Sequence, residues 1–289
     1  MIPAGAARLA GVRPRLDPRR WIARPDLVEI DLAGQVAAAR YVAPLAMQAS
    51  VPRTAMRKAG DAGSVAVSEL LAGEDFDLFE IVDGWAYGRS VADAYVGWVR
   101  AEALAPREAA ALVMVTARVA PVFAAADIKA PVVMELPFGA RVAGAGAAGE
   151  RFFACAAGFI HNRHLEAAPA TPIDVARLFT GAPYLWGGRT PLGVDCSGLV
   201  QAALAACGVA TPRDSDQQLG GLGVAVDFEA RDAGDLVFFP GHVGILATRD
   251  RLLHANAHWM ATVEEPLADV IARLHAAGVA EPVTGVRRI

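Results

Sequence analysis

The sequence is poor in cysteine, and this limits the ways in which the fold can be stabilised. Its 289 residues include only three cysteines, Cys155, Cys196 and Cys207. A secreted disulfide framework normally uses an even set of cysteines in a shorter chain, and zinc ligands normally come in closely spaced pairs. The three cysteines are therefore predicted to be free thiols in a reducing compartment.

The sequence also lacks a long apolar run and an excess of basic residues. Residues Met1 to Leu45 contain many Arg and Pro residues and no apolar stretch suited to a signal peptide. No later stretch is apolar for long enough to cross a membrane. The formal net charge of −4 argues against nucleic-acid binding, which normally needs a basic face. We expect a cytoplasmic protein with no membrane span and no nucleic-acid partner.

The chain divides into regions of different character. Residues 1–45 are interrupted by prolines and predict an irregular N-terminal arm, with a short helix between Val28 and Arg40. Residues 46–168 contain short runs rich in aromatic and β-branched residues, separated by turn signals. Residues 169–289 change from helical to strand-like patterns and back. The fold class is thus multidomain, with small all-β barrels followed by an α+β domain.

A weak internal repeat divides the β-rich region in two. The segment Ser68 to Gly73 resembles the segment Met134 to Gly139, and a second pair of similar segments follows in each copy. Repetition of this kind indicates two copies of one structural unit. The sequence therefore predicts two barrels in tandem, over residues 46–108 and 109–168.

The C-terminal region places a cysteine at the start of a helix. Helices are predicted over Pro172 to Thr180, Cys196 to Ala206 and Pro266 to Ala277, and strands between the last two. A thiol in the first turn of a helix faces unpaired N–H groups and the positive end of the helix dipole, which favour the thiolate. Cys196 shares an apolar helix face with Cys207, so a buried structural cysteine is the competing interpretation. The glycines and polar residues around Cys196 favour a nucleophile there, whereas Cys207 is assigned to the core.

Two histidines follow on predicted strands. His242 begins one strand, and His254 lies twelve positions later on the next. If residue 244 pairs with residue 254, both imidazoles lie on one face of the sheet and one can orient the other, whereas a slip of one residue separates them. Neutral histidine is a suitable base for a thiol nucleophile. The sequence predicts Cys196 as nucleophile, His242 as base and His254 as the orienting group.

Residues 171 to 289 resemble the NlpC/p60 family of bacterial cell-wall cysteine peptidases. The resemblance rests on five motifs in order, Tyr-Leu-Trp-Gly-Gly, Asp-Cys-Ser-Gly-Leu, Pro-Arg-Asp-Ser-Asp-Gln-Gln, Gly-Asp-Leu-Val-Phe-Phe and Gly-His-Val-Gly-Ile. It implies a papain-like catalytic domain that cleaves the bond between γ-D-glutamate and a diamino acid in peptidoglycan stem peptides. The preceding barrels resemble bacterial SH3-like domains, an arrangement that implies trimming of free muropeptides beginning with L-Ala.

The resemblance also implies which residues contact this small peptide substrate. Tyr184 and Trp186 wall the pocket. Asp195 pairs with the ammonium group of L-Ala, while Ser197 and Ser215 hold the α-carboxylate of D-Glu. A requirement for a free amine would exclude cross-linked or glycan-attached peptides, because a blocked terminus leaves a carboxylate unpaired.

Two residues of the first barrel, Glu69 and Tyr95, are further candidates for substrate contact. Glu69 has a repeat counterpart in Glu135, so a shared structural role is the alternative for it. Tyr95 has the alternative of a core aromatic.

Other functions remain open from sequence alone. The barrels are compatible with a non-catalytic cell-wall peptide-binding protein, and a Cys-His pair also serves amidase and acyltransferase chemistry. A zinc site formed by Cys196, His242 and His254 lacks a fourth ligand and ranks below these. We predict neither a metal nor a cofactor. The remaining histidines, His161, His164, His258 and His275, are assigned to surfaces and loops.

Overall fold

The computed structural model describes residues 15–149, 151–166 and 171–289, and these residues form an arm, two β units and a mixed C-terminal unit. The arm contains β1 (Val28–Glu29) and β2 (Tyr41–Val42). The first β unit consists of β3 (Leu45–Ala49), β4 (Arg53–Arg57), β5 (Ala66–Leu71), β6 (Asp75–Val82), β7 (Trp85–Ser90), β8 (Val96–Arg100) and β9 (Leu104–Pro106). The second consists of β10 (Leu112–Met114), β11 (Val119–Phe123), β12 (Val132–Pro137), β13 (Arg141–Ala148), β14 (Phe152–Cys155) and β15 (Gly158–His161).

The C-terminal unit combines four helices with a six-stranded antiparallel sheet. Its helices are α1 (Pro172–Arg177), α2 (Cys196–Ala206), α3 (Ser215–Gly221) and α4 (Leu267–Ala276). Its strands are β16 (Arg189–Thr190), β17 (Gly193–Val194), β18 (Val224–Ala225), β19 (Leu236–Phe239), β20 (His242–Thr248), β21 (Arg251–Asn256), β22 (Ala261–Pro266) and β23 (Gly285–Arg288). The sheet order is β18-β23-β19-β20-β21-β22, and α2 packs on the face that carries Val243 and Ile245.

Each β unit forms its own sheet around its own core. The first sheet has the order β5-β4-β8-β7-β6-β3-β9, and the second has the order β10-β13-β14-β15-β11-β12. The repeated segments occupy equivalent places, because β5 and β12 each lead into a glycine with positive φ, Gly73 at 75° and Gly139 at 87°. At Gly73 a Cβ atom would lie 2.4 Å from the carbonyl oxygen of Arg141, so this glycine also permits the close approach of the two units.

The described part of the arm, residues 15–45, packs against the first β unit. Ile22 and Leu27 are completely buried in a cluster that includes Phe79 and Tyr87. The helix predicted between Val28 and Arg40 is wrong: one 3-10 turn, Ile30–Leu32, lies there between β1 and β2. Parallel pairing of Val28 with Tyr41 holds this segment as a loop, so tertiary contacts override the local pattern. Residues 1–14 lie outside the described residues.

None of the helices in the described part of the chain is both long and apolar enough to span a membrane. The cores of the three units are instead formed by short elements whose buried faces meet. The largest of these cores lies between α1, α2 and the central strands of the C-terminal sheet, and it includes Phe179, Leu199 and Leu253. Cys196 lies at the edge of this core, where α2 begins.

Candidate active site

Helix α2 begins at Cys196, directly after an aspartate that caps it. The Oδ1 atom of Asp195 accepts a hydrogen bond from the backbone N–H of Gly198 at 2.8 Å, which satisfies a free donor of the first turn. Gly198 is required by close packing, since a Cβ atom there would lie 2.2 Å from the carbonyl oxygen of Gly188. Only 6% of the surface of Cys196 is exposed. The predicted helix bounds, Cys196 to Ala206, are confirmed.

The two predicted histidines lie on adjacent strands in the predicted register. Ile245 pairs with Leu253, so residue 244 stands opposite residue 254. The Nε2 atom of His242 lies 2.8 Å from the Nδ1 atom of His254. The predicted pairing of residue 244 with residue 254 is therefore present, and the two imidazoles lie on the same face of the sheet. Since the Nε2 atom of His242 is used in this contact, its Nδ1 atom remains for the thiol.

Glu265 on β22 extends this pair and fixes its protons. The Nε2 atom of His254 lies 2.9 Å from the Oε1 atom of Glu265, and a carboxylate can only accept, so His254 carries its proton on Nε2. The Nδ1 atom of His254 then accepts from the Nε2–H of His242. This leaves Nδ1 of His242 unprotonated, which is the tautomer that a general base needs. Arg273 and the indole N–H of Trp259 donate to Glu265 in turn.

Burial controls the charge state of the thiol and its base. Burial, followed by the negative charge of Asp195, raises the pKa of Cys196 to about 11, although backbone N–H groups of Val243 and Ser197 act in the opposite direction. Burial and the neighbouring His254 lower the pKa of His242 to about 3. The expected preference for a thiolate is thus reversed in the unliganded site, where thiol and imidazole are both neutral. Proton transfer must therefore accompany attack by the sulfur.

We expect Glu265→Gln to lower kcat by about 10–100-fold, because a hydrogen bond to a charged group contributes about 1.5–3 kcal/mol. The carboxylate stabilises the imidazolium that forms during the reaction and raises the pKa of His242. Its removal should lower that pKa further and move the acid limb of the kcat/KM profile to lower pH. The measurement is the pH dependence of peptide hydrolysis.

The neighbouring residue Glu264 provides a matched control for this substitution. It lies on the other face of β22, where its carboxylate pairs with Arg251 and Arg177 at the surface. Glu264→Gln should leave both kcat and the pH profile unchanged. If Glu265→Gln behaves in the same way as Glu264→Gln, the carboxylate has no part in orienting the histidines.

Asp195 forms a buried ion pair with Arg213, a contact that the motifs do not indicate. The Nη2 atom of Arg213 lies 2.6 Å from Oδ2 of Asp195, and Nη1 lies 2.9 Å from Oδ1. The N–H of Gly187 also donates to Oδ2. Arg213 is 1% exposed. This arrangement differs from the predicted pairing of Asp195 with a substrate ammonium group, because Arg213 already neutralises the carboxylate and both of its oxygens accept hydrogen bonds.

A cleft of about 330 Å³ opens beside Cys196, between the first β unit and the C-terminal unit. The predicted residues that line it are Tyr95, Trp186, Asp195, Ser197 and Ser215. At one end, the hydroxyl group of Tyr95 donates to Oδ2 of Asp214 at 3.0 Å. Tyr184 lies on the other side of His242, in a second cleft that also contains His258. The first cleft therefore brings a nucleophile and the partly buried carboxylate of Asp214 together.

Glu69 is buried at the interface between the first β unit and the C-terminal unit. Its Oε1 atom accepts from Arg53 at 2.7 Å, and its Oε2 atom accepts from the backbone N–H of Arg189 at 2.8 Å. Both oxygens are thus engaged by the protein. The contacts assign Glu69 to the interface, and its predicted contact with substrate stays a prediction.

Four residues of the site were not predicted from the sequence: Asp214, Glu265, Arg213 and Arg19, the last of which also lines the first cleft. Asp214 and Arg213 lie within a quoted motif, Pro-Arg-Asp-Ser-Asp-Gln-Gln, so the signal for these two was present. Arg19 and Glu265 lie in segments without a motif. Among the described residues, no group of three or more His, Cys, Asp or Glu side chains is arranged to bind a metal ion.

Comparison with curated proteins finds relatives that match part of the chain. It is 37% identical over 84 residues to dipeptidyl-peptidase 6 of Lysinibacillus sphaericus, a match that covers 29% of this chain and 31% of that protein. It is 39% identical over 92 residues to the gamma-D-glutamyl-L-lysine dipeptidyl-peptidase of Bacillus subtilis, covering 29% of this chain and 30% of that protein. The matches thus span about a third of the length of these relatives.

Solved structures and family models cover more of the chain. An NlpC/P60 family protein from Bacillus cereus superposes with a TM-score of 0.70 over 84% of this chain and 99% of that chain, at 20% identity. At this identity the likeness shows a shared fold. Residues 181–288 match the NlpC/P60 family model, and residues 56–104 match the model of the bacterial dipeptidyl-peptidase SH3 domain. The chain therefore carries an NlpC/P60 domain, as its motifs predict, preceded by a bacterial dipeptidyl-peptidase SH3 domain, as the internal repeat and the domain order predict.

Proposed function

We propose that this protein is a cysteine peptidase that hydrolyses the γ-D-Glu–diamino acid bond of peptidoglycan stem peptides with a free N-terminal L-Ala. The observation that carries this proposal is the cleft that places the carboxylate of Asp214 and the hydroxyl group of Tyr95 at one end and Cys196 beside them. The names of the relatives from Lysinibacillus sphaericus and Bacillus subtilis describe dipeptidyl-peptidase activity and support it.

The free amine is assigned to Asp214 in place of Asp195. Tyr95 and Arg19 donate to Oδ2 of Asp214, and none of the described residues donates to its Oδ1 atom. A carboxylate oxygen that faces a cleft is a suitable partner for an ammonium group in a partly dehydrated pocket. Asp195, with both oxygens engaged, instead orders the start of α2 through its hydrogen bond to Gly198.

The D-Glu α-carboxylate is assigned to the two serines of the cleft. Ser197 lies directly after the nucleophile, and Ser215 is the first residue of α3. The hydroxyl group of Ser215 can donate to a carboxylate, and that of Ser197, which donates to Oδ1 of Asp195 at 3.3 Å, would have to turn to the substrate. The buried guanidinium of Arg213 donates to Oγ of Ser197 at 2.9 Å and so favours negative charge nearby. The diamino acid that leaves is assigned to the second cleft, of about 350 Å³, on the far side of His242.

The proposed reaction begins with two neutral groups. The Cys196 sulfur attacks the carbonyl carbon of the γ-glutamyl amide while its proton passes to Nδ1 of His242. His254 and Glu265 stabilise the resulting imidazolium, which returns the proton to the nitrogen of the diamino acid as the C–N bond breaks. Water, deprotonated by the same imidazole, then hydrolyses the thioester. The products are L-Ala-γ-D-Glu and the free diamino acid or peptide.

We expect N-acetylation of the substrate to reduce kcat/KM by at least about 100-fold, because it removes the ammonium group that would pair with the Oδ1 atom of Asp214 at the end of the cleft. The measurement compares hydrolysis of L-Ala-γ-D-Glu-diamino acid with that of its N-acetylated form. Asp214→Asn should reduce the ratio of kcat/KM between the free and the N-acetylated peptide. Asp250→Asn, at an exposed position, should leave this ratio unchanged. Equal rates of the wild-type protein on the two peptides would refute the proposal.

We further propose that the second β unit is also SH3-like and that the catalytic domain is papain-like. The repeat between β5 and β12, with Gly73 and Gly139 at matching positions, supports the first assignment. A nucleophile at the start of a helix that packs on an antiparallel sheet carrying the base supports the second. The cytoplasmic location also remains a proposal, supported by the three free thiols and tested by cell fractionation.

A further inference from the structure

The N-terminal arm is anchored to the first β unit close to the active-site cleft. The backbone N–H of Val96 donates to the carbonyl oxygen of Arg19 at 2.7 Å. Three residues later, the buried Ile22 donates its N–H to the carboxylate of Glu29. The backbone of Arg19 is therefore held on one side by the start of β8 and on the other by the buried Ile22. The position from which the Arg19 side chain extends is fixed as a result.

The guanidinium of Arg19 crosses from the arm to α3 of the C-terminal unit. Its Nη1 atom donates to Oδ2 of Asp214 and to Oδ1 of Asp216, both at 2.9 Å. Its Nη2 atom donates to Oδ2 of Asp216 at 2.9 Å and to Oδ2 of Asp17 at 2.8 Å. The hydrogen bond from Arg19 is the largest cause that lowers the pKa of Asp216. The arm thus holds two carboxylates of the catalytic domain in place.

These contacts lie at one end of the cleft that contains Cys196, the end to which the free amine of the substrate is assigned. Arg19, Asp214 and Asp216 all line this cleft, and Arg19 shares Oδ2 of Asp214 with Tyr95. Three carboxylates, counting Asp17, surround one guanidinium, so the end of the cleft keeps a net negative charge. Arg19 therefore aligns the carboxylates without cancelling their attraction for an ammonium group, and its side chain lines the end of the cleft toward which an N-terminally longer peptide would extend.

We propose that the arm is part of the substrate-binding site, with Arg19 as a positioning residue that fixes Asp214 and closes the cleft to N-terminally extended peptides. This inference rests on the proposed function for its substrate, but its geometric content concerns access to Cys196. If Arg19 closes the cleft in this way, the release of dipeptides depends on three parts of the chain: the arm, the first β unit and the catalytic domain. The catalytic domain alone does not provide the closed end.

The test compares the wild-type protein with Arg19→Ala on L-Ala-γ-D-Glu-diamino acid and on the same peptide extended by an N-terminal glycine. We expect Arg19→Ala to raise KM for the shorter peptide with little change in kcat, and to lower the preference for it by at least about tenfold. Arg20→Ala is the matched control, because Arg20 is the adjacent arginine and is exposed. An equal loss on both peptides would indicate a purely structural role and overturn the proposal.

A second measurement needs no peptide and separates this proposal from the proposed function. Cys196 is alkylated with iodoacetamide and with a bulky fluorescein maleimide in proteins that carry Cys155→Ser and Cys207→Ser. Arg19→Ala should raise the rate of alkylation of Cys196 by the bulky maleimide about tenfold, and the rate with iodoacetamide by less than about twofold. An unchanged ratio contradicts closure by Arg19 even if the peptide proves not to be a substrate. Thermal unfolding of each variant verifies that it is folded.

Discussion

Cys196→Ala is expected to lower peptide hydrolysis by about 10³-fold or more, because loss of the nucleophile removes the covalent route. The substitution removes one sulfur atom at the start of α2, where Asp195 caps the helix independently of residue 196. The variant should therefore fold, and its thermal unfolding midpoint should remain close to that of the wild-type protein. The measurement is mass spectrometry of purified muropeptides, which reports both activity and the bond that is cleaved.

Cys207→Ala is the matched control for this experiment. Cys207 caps the opposite end of α2 and packs against the edge of the catalytic core, away from the cleft. Its removal should leave hydrolysis unchanged. Activity that survives in Cys196→Ala would contradict the cysteine peptidase mechanism. A non-catalytic peptide-binding protein would show no cleavage in either variant or in the wild-type protein.

Arg213→Met is expected to lower the free energy of unfolding by about 3–5 kcal/mol, because it leaves the carboxylate of Asp195 buried without its partner. The same guanidinium also donates to the hydroxyl groups of Ser68 and Ser197, so the loss extends to the interface with the first β unit. Urea denaturation followed by fluorescence measures the change, from the shift in midpoint at constant slope.

An exposed ion pair gives the comparison for Arg213. Arg251, whose side chain is 44% exposed, pairs with Glu264 on the surface of the sheet. Arg251→Met should change stability by about 0–1 kcal/mol, as is usual for solvent-exposed pairs. The double variant Asp195→Asn/Arg213→Met should lose less than the sum of the two single variants. Similar losses for Arg213→Met and Arg251→Met would show that burial adds nothing to the Arg213 pair.

Local patterns predicted the catalytic elements well. Helix α2 begins and ends where the motif and Gly208 place it, and the register between β20 and β21 satisfies the condition set by the spacing of His242 and His254. These features depend on short-range periodicity and on the alternation of side chains across a strand. The family match at residues 181–288 confirms the recognition that these motifs supported.

Partners that are distant in sequence were not predictable in the same way. Arg19 and Asp214 are separated by 195 positions, and nothing near either residue indicates that their side chains meet. The direction in which the pKa of Cys196 shifts is equally non-local, because the burial that raises this pKa depends on how α2 packs against the sheet. The same packing decides that Asp195 faces Arg213. Tertiary structure, and not the helix dipole alone, sets the charges of this site.

Arg189 limits how far the chain can be treated as a set of separable modules. Its guanidinium donates twice to Glu74, at 2.8 and 2.9 Å, and once to the carbonyl oxygen of Glu69, all across the interface with the first β unit. A fragment trimmed to the NlpC/P60 segment would expose this arginine and the apolar surface around it. Domain exchange between relatives therefore has to move the arm, the first β unit and the peptidase together, because the arm also packs against the first β unit.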